Sequence, residues 1–263
     1  MVGLAVIVGI LVSKGSCEIL SVCFGFLTGF FISAYSMVVN DYFDLEVDKI
    51  NALDRPLVKG EVNVPEAKAF ASILLILGLS FSWFTGFTTF MVALSFAILS
   101  FLYNWKFKEY GLIGNFIVAA SIAIPFVYGS LITNGITLLV LSLAMTAFFA
   151  GTGREVVKDI VDVKGDALRN VRTIPRIYGA KWAGRLGAMF FLIAITSSLI
   201  PVMLRRVGLL YIILIGMTDV IFLALTVLTI KDTSREGAYR VKRIALYAML
   251  LGLAGYLLEG VGA

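Results

Sequence analysis

Apolar residues in this chain do not alternate with polar ones. They fall in unbroken blocks at about 1–13, 19–39, 67–84, 88–105, 112–132, 136–152, 182–204, 207–230 and 239–261. Eight of the nine reach the ~17–25 residues that a helix needs to cross a hydrocarbon core. The first is too short for that. It has neither a basic start nor a clear cleavage site, so it reads as a truncated or late-started first helix rather than a signal peptide. Lipid offers the backbone no hydrogen-bond partners, so the spans are predicted to be α-helices. The strands of a membrane barrel would alternate apolar and polar positions, and these blocks do not. The pattern therefore predicts an all-α polytopic membrane protein of about nine transmembrane helices, forming one domain over residues 1–263.

Composition agrees: 60% of the 263 residues are hydrophobic, 15% are charged and the mean hydropathy is +0.97. A soluble core of this length needs far less apolar content. Cys17 and Cys23 match no zinc pattern and read as packing residues. The absence of histidine changes the chemistry more. It excludes histidine triads, histidine metal sites and histidine general bases. Any metal must then be held by oxygen ligands, which favours Mg²⁺ or a similar hard cation.

The net charge of +5 matters through its distribution. Nineteen Lys and Arg residues fall in the segments that follow even-numbered blocks, against three (Lys14, Arg205 and Arg206) on the other side. The positive-inside rule puts the first set in the cytoplasm of a cell-membrane protein. Such charges serve topology and phosphate binding, and no nucleic-acid partner is expected.

The second block runs straight into "VVNDYFDLEVDKINALDRP", residues 38–56, which crowds Asp41, Asp44, Glu46 and Asp48 together. Asp41, Asp44 and Asp48 stand at i, i+3 and i+7, so a continuing helix aligns them on one face, and Asn40 nearly shares it. The sixth block runs into "GREVVKDIVDVKGDALRNVRTIP", residues 153–175, where Asp159, Asp162 and Asp166 repeat the spacing. Each lies 118 residues beyond its counterpart, and both stretches lead to a proline, Pro56 or Pro175. One such stretch alone is more simply a solvated helix end. Two with matched spacing on one side of the membrane predict two similar helical halves around a central cavity that opens to the cytoplasm. Converging acids without histidine suit Mg²⁺ bridging the phosphates of a substrate.

At these residues the sequence resembles the UbiA-type intramembrane prenyltransferase superfamily. "NDYFDLEVD" matches its N-D-x-x-D-x-x-x-D signature and "DIVDVKGD" its D-x-x-D-x-x-x-D signature. "GREVVKDIVDVKGD" and "LYNWKFKEYGLIGN" are most similar to the archaeal branch that builds ether lipids. The resemblance implies transfer of a geranylgeranyl group from geranylgeranyl diphosphate to the free hydroxyl of geranylgeranylglyceryl phosphate, with membrane lipids as surroundings. It implies Mg²⁺ on Asn40, Asp44, Asp162 and Asp166, with Asp41, Asp48 and Asp159 in supporting positions and Asp44 and Asp162 central to catalysis. It also implies a Tyr and a Lys after the fourth span. Tyr103 is present, but the expected Y-x-x-x-K spacing falls on Phe107, between Lys106 and Lys108, and either lysine can serve. The family's N-terminal arginine-proline and asparagine have no counterpart here.

Leaving-group charge on an allylic diphosphate is best neutralised by metal ions and cationic donors in a water-poor cavity. Arg55, Lys106, Lys108, Arg154, Lys158 and Arg172 are the candidate donors. Phe24, Phe31, Tyr35 and the Phe148–Phe149 pair are candidate walls for the allylic cation, or ordinary packing aromatics. Asp219, midway along the eighth block, is either hydrogen-bonded packing or part of a cavity wall. An aromatic acceptor and, in another class, a cation transporter are the competing readings. The transporter predicts acids on broken helices near the bilayer midplane.

Overall fold

A block of about 20 apolar residues spends its length inside the membrane, so a helix that outlasts its block must emerge from it. Two helices do so, and they carry the two acidic stretches. The computed structural model describes residues 2–50, 54–133, 135–168 and 171–262 and, within them, every side chain but those of 164 and 166–168. In chain order the helices are α1 (Val2–Val12), α2 (Ile19–Ile50), α3 (Pro56–Lys59), α4 (Val64–Thr85), α5 (Phe87–Trp105), α6 (Leu112–Ile132), α7 (Leu138–Leu168), α8 (Ile174–Tyr178), α9 (Ala180–Met203), α10 (Leu209–Lys231) and α11 (Arg235–Val261), with a 3-10 turn at Phe107–Tyr110. Among the described residues there is no strand. Among the described residues, eight helices are long and apolar enough to cross a membrane, while α1, at 11 residues, is short, as its block predicted.

The two halves are visible in the packing. Helix α2 lies along α4, and α7 along α9; α5 follows α4 as α10 follows α9. Pro56 opens the short helix α3 and Pro175 is the second residue of α8, first-turn positions where the missing N–H costs nothing. Helix α1 packs on α2 and α6 and touches α11, which closes the ring. Side chains cap the starts of α4 and α11. Asn63 and Glu66 form a reciprocal capping box at α4, and the Ser234 side chain accepts from the Gly237 N–H at α11.

Helices in lipid gain little from apolar burial against one another, so close packing of small residues holds them. The α1–α6 contact shows this: a Cβ on Gly129 would stand 2.1 Å from the Val6 carbonyl oxygen, and one on Gly9 2.2 Å from that of Phe126. Polar groups inside the bundle are satisfied across helices. Ser142 Oγ donates to the Ser197 carbonyl (2.7 Å), and Tyr211 donates to that of Ser198 (2.9 Å). Asp219 resolves into this packing set, since Ser198 Oγ reaches both its oxygens at 2.9 and 3.0 Å. Large side chains such as Ile76, Phe84 and Val220 point outward, as a lipid-facing surface requires. Cys17 and Cys23 are free thiols.

Candidate active site

Both acidic stretches continue their spans without a break, so the motifs sit where α2 and α7 run on beyond their apolar blocks. On α2, Asp44 and Asp48 are buried and Asp41 is half-buried. Their counter-charges come from elsewhere in the chain. Arg55, extended just ahead of Pro56, folds back so that its guanidinium meets Asp41 and also lies 3.0 Å from Asp48 Oδ2. That Oδ2 is buried and, despite the ion contact, accepts no hydrogen bond of good geometry. Lys108, in the 3-10 turn, pairs with Asp44. Asn40 Nδ2 donates to Asp44 Oδ2 (3.0 Å) and to Asn104 Oδ1 (2.8 Å), and Asn104 Nδ2 in turn donates to the Ser100 carbonyl (2.9 Å).

On α7, Asp159 is buried and accepts from Asn115 Nδ2 at 2.8 Å. One turn earlier Glu155, 5% exposed, takes both Arg154 and Lys158, the latter at 2.9 Å. The backbone between the halves is locked by Gly111. With φ at +46°, its missing Cβ leaves room for the Arg172 carbonyl, 2.2 Å from where that atom would be. The Arg172 N–H donates to the Glu109 carbonyl at 2.9 Å. The turn that carries Lys108 and the segment leading to α8 are thereby pinned together.

The result is a chamber of two lobes that share Tyr103, Asn104 and Val118 as walls. One lobe, of about 410 Å³, brings Asp44, Lys108, Asn115, Lys158, Asp159 and Asp162 around one space. The other, of about 540 Å³, is bounded by Asn40, Asp41, Arg55, Ser100 and Phe96. The fold thus gathers most of the residues singled out from sequence, including Tyr103, and places Lys108 rather than Lys106 on the chamber.

Three expected cations lie elsewhere. Lys106 follows the last residue of α5, is exposed and pairs with Glu109 at 3.5 Å. The Arg154 guanidinium is drawn to Glu155 and to the Lys242 carbonyl on α11 (3.3 Å). Arg172 contributes its backbone, while its side chain is exposed. Asp48 stands behind the chamber, paired with Arg55. The side chain of Asp166 falls outside the described residues. The aromatic wall is also different. Phe31 stacks on Phe81, and Phe24 packs at a tilt against Phe81 and Phe84, because that face of α2 meets α4. Tyr35 is buried in the same seam, and Phe148 and Phe149 pack with Phe116 and Phe190. The aromatics that line the chamber are Phe43, Phe96, Tyr103 and Trp105. Asn104, Asn115 and Glu155 were not singled out, although two amides bordering apolar spans are the kind of costly polar group that marks a site.

Residues 2–254 match the UbiA prenyltransferase family. The chain belongs to this family. It is therefore a prenyltransferase, and the cation-transporter reading falls. Among curated relatives, digeranylgeranylglyceryl phosphate synthase of Archaeoglobus fulgidus is 37% identical over 97% of this chain and 89% of its own length. The enzyme of the same name from Methanocaldococcus jannaschii is 33% identical over 97% and 90%. A solved structure described as digeranylgeranylglyceryl phosphate synthase in membranes superposes with a TM-score of 0.91 at 32% identity, over 100% of this chain and 94% of that one. A UbiA homolog from Archaeoglobus fulgidus bound to GPP and Mg²⁺ shares the fold (TM-score 0.69, 18% identity, 99% and 96% covered).

The donor set of the chamber is oxygen throughout, which fits a hard cation. Asn40 commits its Nδ2 to two acceptors, which leaves Oδ1 as its remaining ligand atom. Among the described residues no three carboxylates converge closely enough to hold an ion by themselves. Magnesium suits such a site, since it completes its shell with water and substrate phosphate oxygens.

Proposed function

We propose that this family member transfers a geranylgeranyl group from geranylgeranyl diphosphate to the free hydroxyl of geranylgeranylglyceryl phosphate, releasing diphosphate. The observation that carries the reading is the single lobe in which carboxylates of both halves face Lys108, Lys158 and Tyr103. Relatives bearing the corresponding name at 30–37% identity over nearly the whole chain support the choice of substrates.

Asn40, Asp44, Asp159 and Asp162, with Asp166, would hold Mg²⁺, and Asp41 and Asp48 would hold Arg55 in place. When bound, Mg²⁺ neutralises the diphosphate and so favours its departure. Lys108 and Lys158, which face the lobe, would bind the phosphate oxygens, and Arg55 would close the neighbouring lobe. As the C1–O bond of the donor breaks, the faces of Phe96 and Tyr103 stabilise the allylic cation without capturing it. Walls of Val118, Ile117 and Phe96 keep water from competing with the acceptor. The acceptor oxygen forms the new ether bond, and its proton passes to a motif aspartate or to the departing diphosphate, histidine being absent.

Incubation of the protein with radiolabelled geranylgeranyl diphosphate and a panel of acceptors tests the reading. Geranylgeranylglyceryl phosphate should be prenylated, its dephosphorylated form far more slowly, and excess chelator should stop the reaction. If 4-hydroxybenzoate is the better acceptor, the substrate assignment is wrong. The chamber is proposed to face the cytoplasm, on the 19-to-3 division of Lys and Arg. With Cys17 and Cys23 replaced by Ala, a Glu61→Cys variant should react with an impermeant thiol reagent in inside-out vesicles but not in intact cells; the opposite pattern inverts the topology.

A further inference from the structure

The chamber does not end at its phosphate-binding lobes. Ser36, Met37, Phe96 and Ser121 wall both the Arg55 lobe and a further apolar groove that runs on between α1, α2, α5 and α6. The lining side chains form a stripe on α6: Ser121, Ile124, Pro125 and Tyr128 stand at i, i+3, i+4 and i+7, with Val118 three residues before them. At its far end Tyr128 is 4% exposed and is fixed across the bundle, its hydroxyl 2.9 Å from Ser82 Oγ and 3.1 Å from Thr85 Oγ1. Val6 and Ala93 pack beside the ring, and the tight Gly9–Gly129 approach of α1 and α6 seals the space behind it.

We infer that Tyr128 is the floor of the prenyl-chain groove and sets the donor length at four isoprene units. This rests on the prenyl-diphosphate reading of the chamber. Helices α6 and α2 give the same length. From Asn115 to Tyr128 on α6, and from Asn40 to Thr28 on α2, the rise is ~18–20 Å at 1.5 Å per residue. On α5 the step from Tyr103 to Ala93, which packs beside the ring, is shorter at ~15 Å. An isoprene unit adds four chain bonds, or roughly 5 Å by the geometry that makes a three-bond trans peptide repeat 3.8 Å. Four units then span ~20 Å, and a fifth would have to enter the space held by the tyrosine ring. The two hydrogen bonds explain why the ring does not swing aside.

The test uses the full-length protein and thiolodiphosphate analogues of 10, 15, 20 and 25 carbons, with binding measured by calorimetry and transfer measured with the matching diphosphates. The wild-type protein should bind the 20-carbon analogue at least ~10-fold more tightly than the 25-carbon one, the scale on which a filled pocket rejects extra methylenes. Tyr128→Ala should erase that gap, while Tyr128→Phe, which keeps the ring but loses both of its hydrogen bonds, should narrow it. Ser121→Phe, whose hydroxyl meets only the Val118 carbonyl of its own helix, should obstruct the groove part-way and move the preference to 10 carbons. A length preference unchanged in folded Tyr128→Ala, or in Ser121→Phe should the first variant not fold, overturns the inference. So does a wild-type protein that binds all four lengths alike. Tight, length-graded binding without transfer to the glycerophosphate acceptor would overturn the acceptor assignment and leave the floor standing. Binding of none overturns both.

Discussion

The first motif draws its positive charge from distant parts of the chain, whereas the second keeps its own within a helical turn. Arg55 reaches Asp41 and Asp48 from beyond the end of α2, and Lys108 reaches Asp44 from 64 residues away. On α7 the nearby cations are Arg154 and Lys158, and both close on Glu155, four residues ahead of Asp159. The amides differ in another way. Asn104 acts on the first motif through Asn40, while Asn115 donates to Asp159 directly. Two halves that look alike in spacing are therefore wired differently. The first is assembled by tertiary structure and fails if its loops move. The second draws these two cations from its own helix and the Asn115 amide from α6.

The comparison holds only if both motifs are needed. Asp44→Ala and Asp162→Ala should each lower kcat by ~10²–10³, the loss seen when one preorganised charge-stabilising group is removed. Steady-state transfer assays on membrane-inserted variants measure this. A variant with nearly full turnover would show that its half only scaffolds the other.

Lys108 and Glu155 separate the two wiring schemes. Lys108→Met removes the cation that pairs with Asp44, so the donor KM should rise and kcat fall by roughly 10²-fold. Glu155→Gln removes a buried acid and leaves two cations that can still turn toward a diphosphate. Lys158 is 40% exposed in its side chain, so water offsets part of the cost. The loss should be about 2 kcal/mol of stability, or roughly 4–8 °C in thermal-shift assays, with kcat changed less than ~3-fold. Equal loss of activity in both variants would mean that Glu155 works in the chamber and that the two halves are wired alike.

The helices were legible in the sequence because membrane length leaves little freedom: each apolar block became a helix, and where polar residues followed on α2 and α7 the helix simply continued. The motif aspartates were legible for the same reason, as periodicity alone puts them on one face. What the chain does not display is which neighbour each face meets. Phe24 and Phe31 share a helical stripe that could have lined a cavity, but α4 presents Phe81 and Phe84 to it. Lys106 and Lys108 are two residues apart, and only the 3-10 turn decides that Lys108 reaches Asp44. Asn104 and Asn115 owe their roles to contacts across 64 and 44 residues, which no local pattern reveals.

The two amides give the most discriminating comparison. Asn115→Ala deletes a hydrogen bond to a buried carboxylate, which is worth ~1.5–3 kcal/mol, so activity should fall by at least ~10-fold. Asn104→Ala deletes a neutral bond to another amide, worth ~1 kcal/mol, so the fall should be nearer 5-fold. Its action is indirect: without Asn104 the Asn40 amide can flip and present nitrogen where the chamber needs Oδ1. That error should show as a higher Mg²⁺ concentration for half-maximal rate in Asn104→Ala, with donor KM little changed. A structural defect alone would lower stability without moving the Mg²⁺ curve. In the double variant the two losses should add to within ~0.5 kcal/mol, because the amides have no hydrogen-bond partner in common. Coupling larger than that would mean the two motifs respond to one another through the shared wall at Tyr103 and Val118, and the halves would then be one device rather than two.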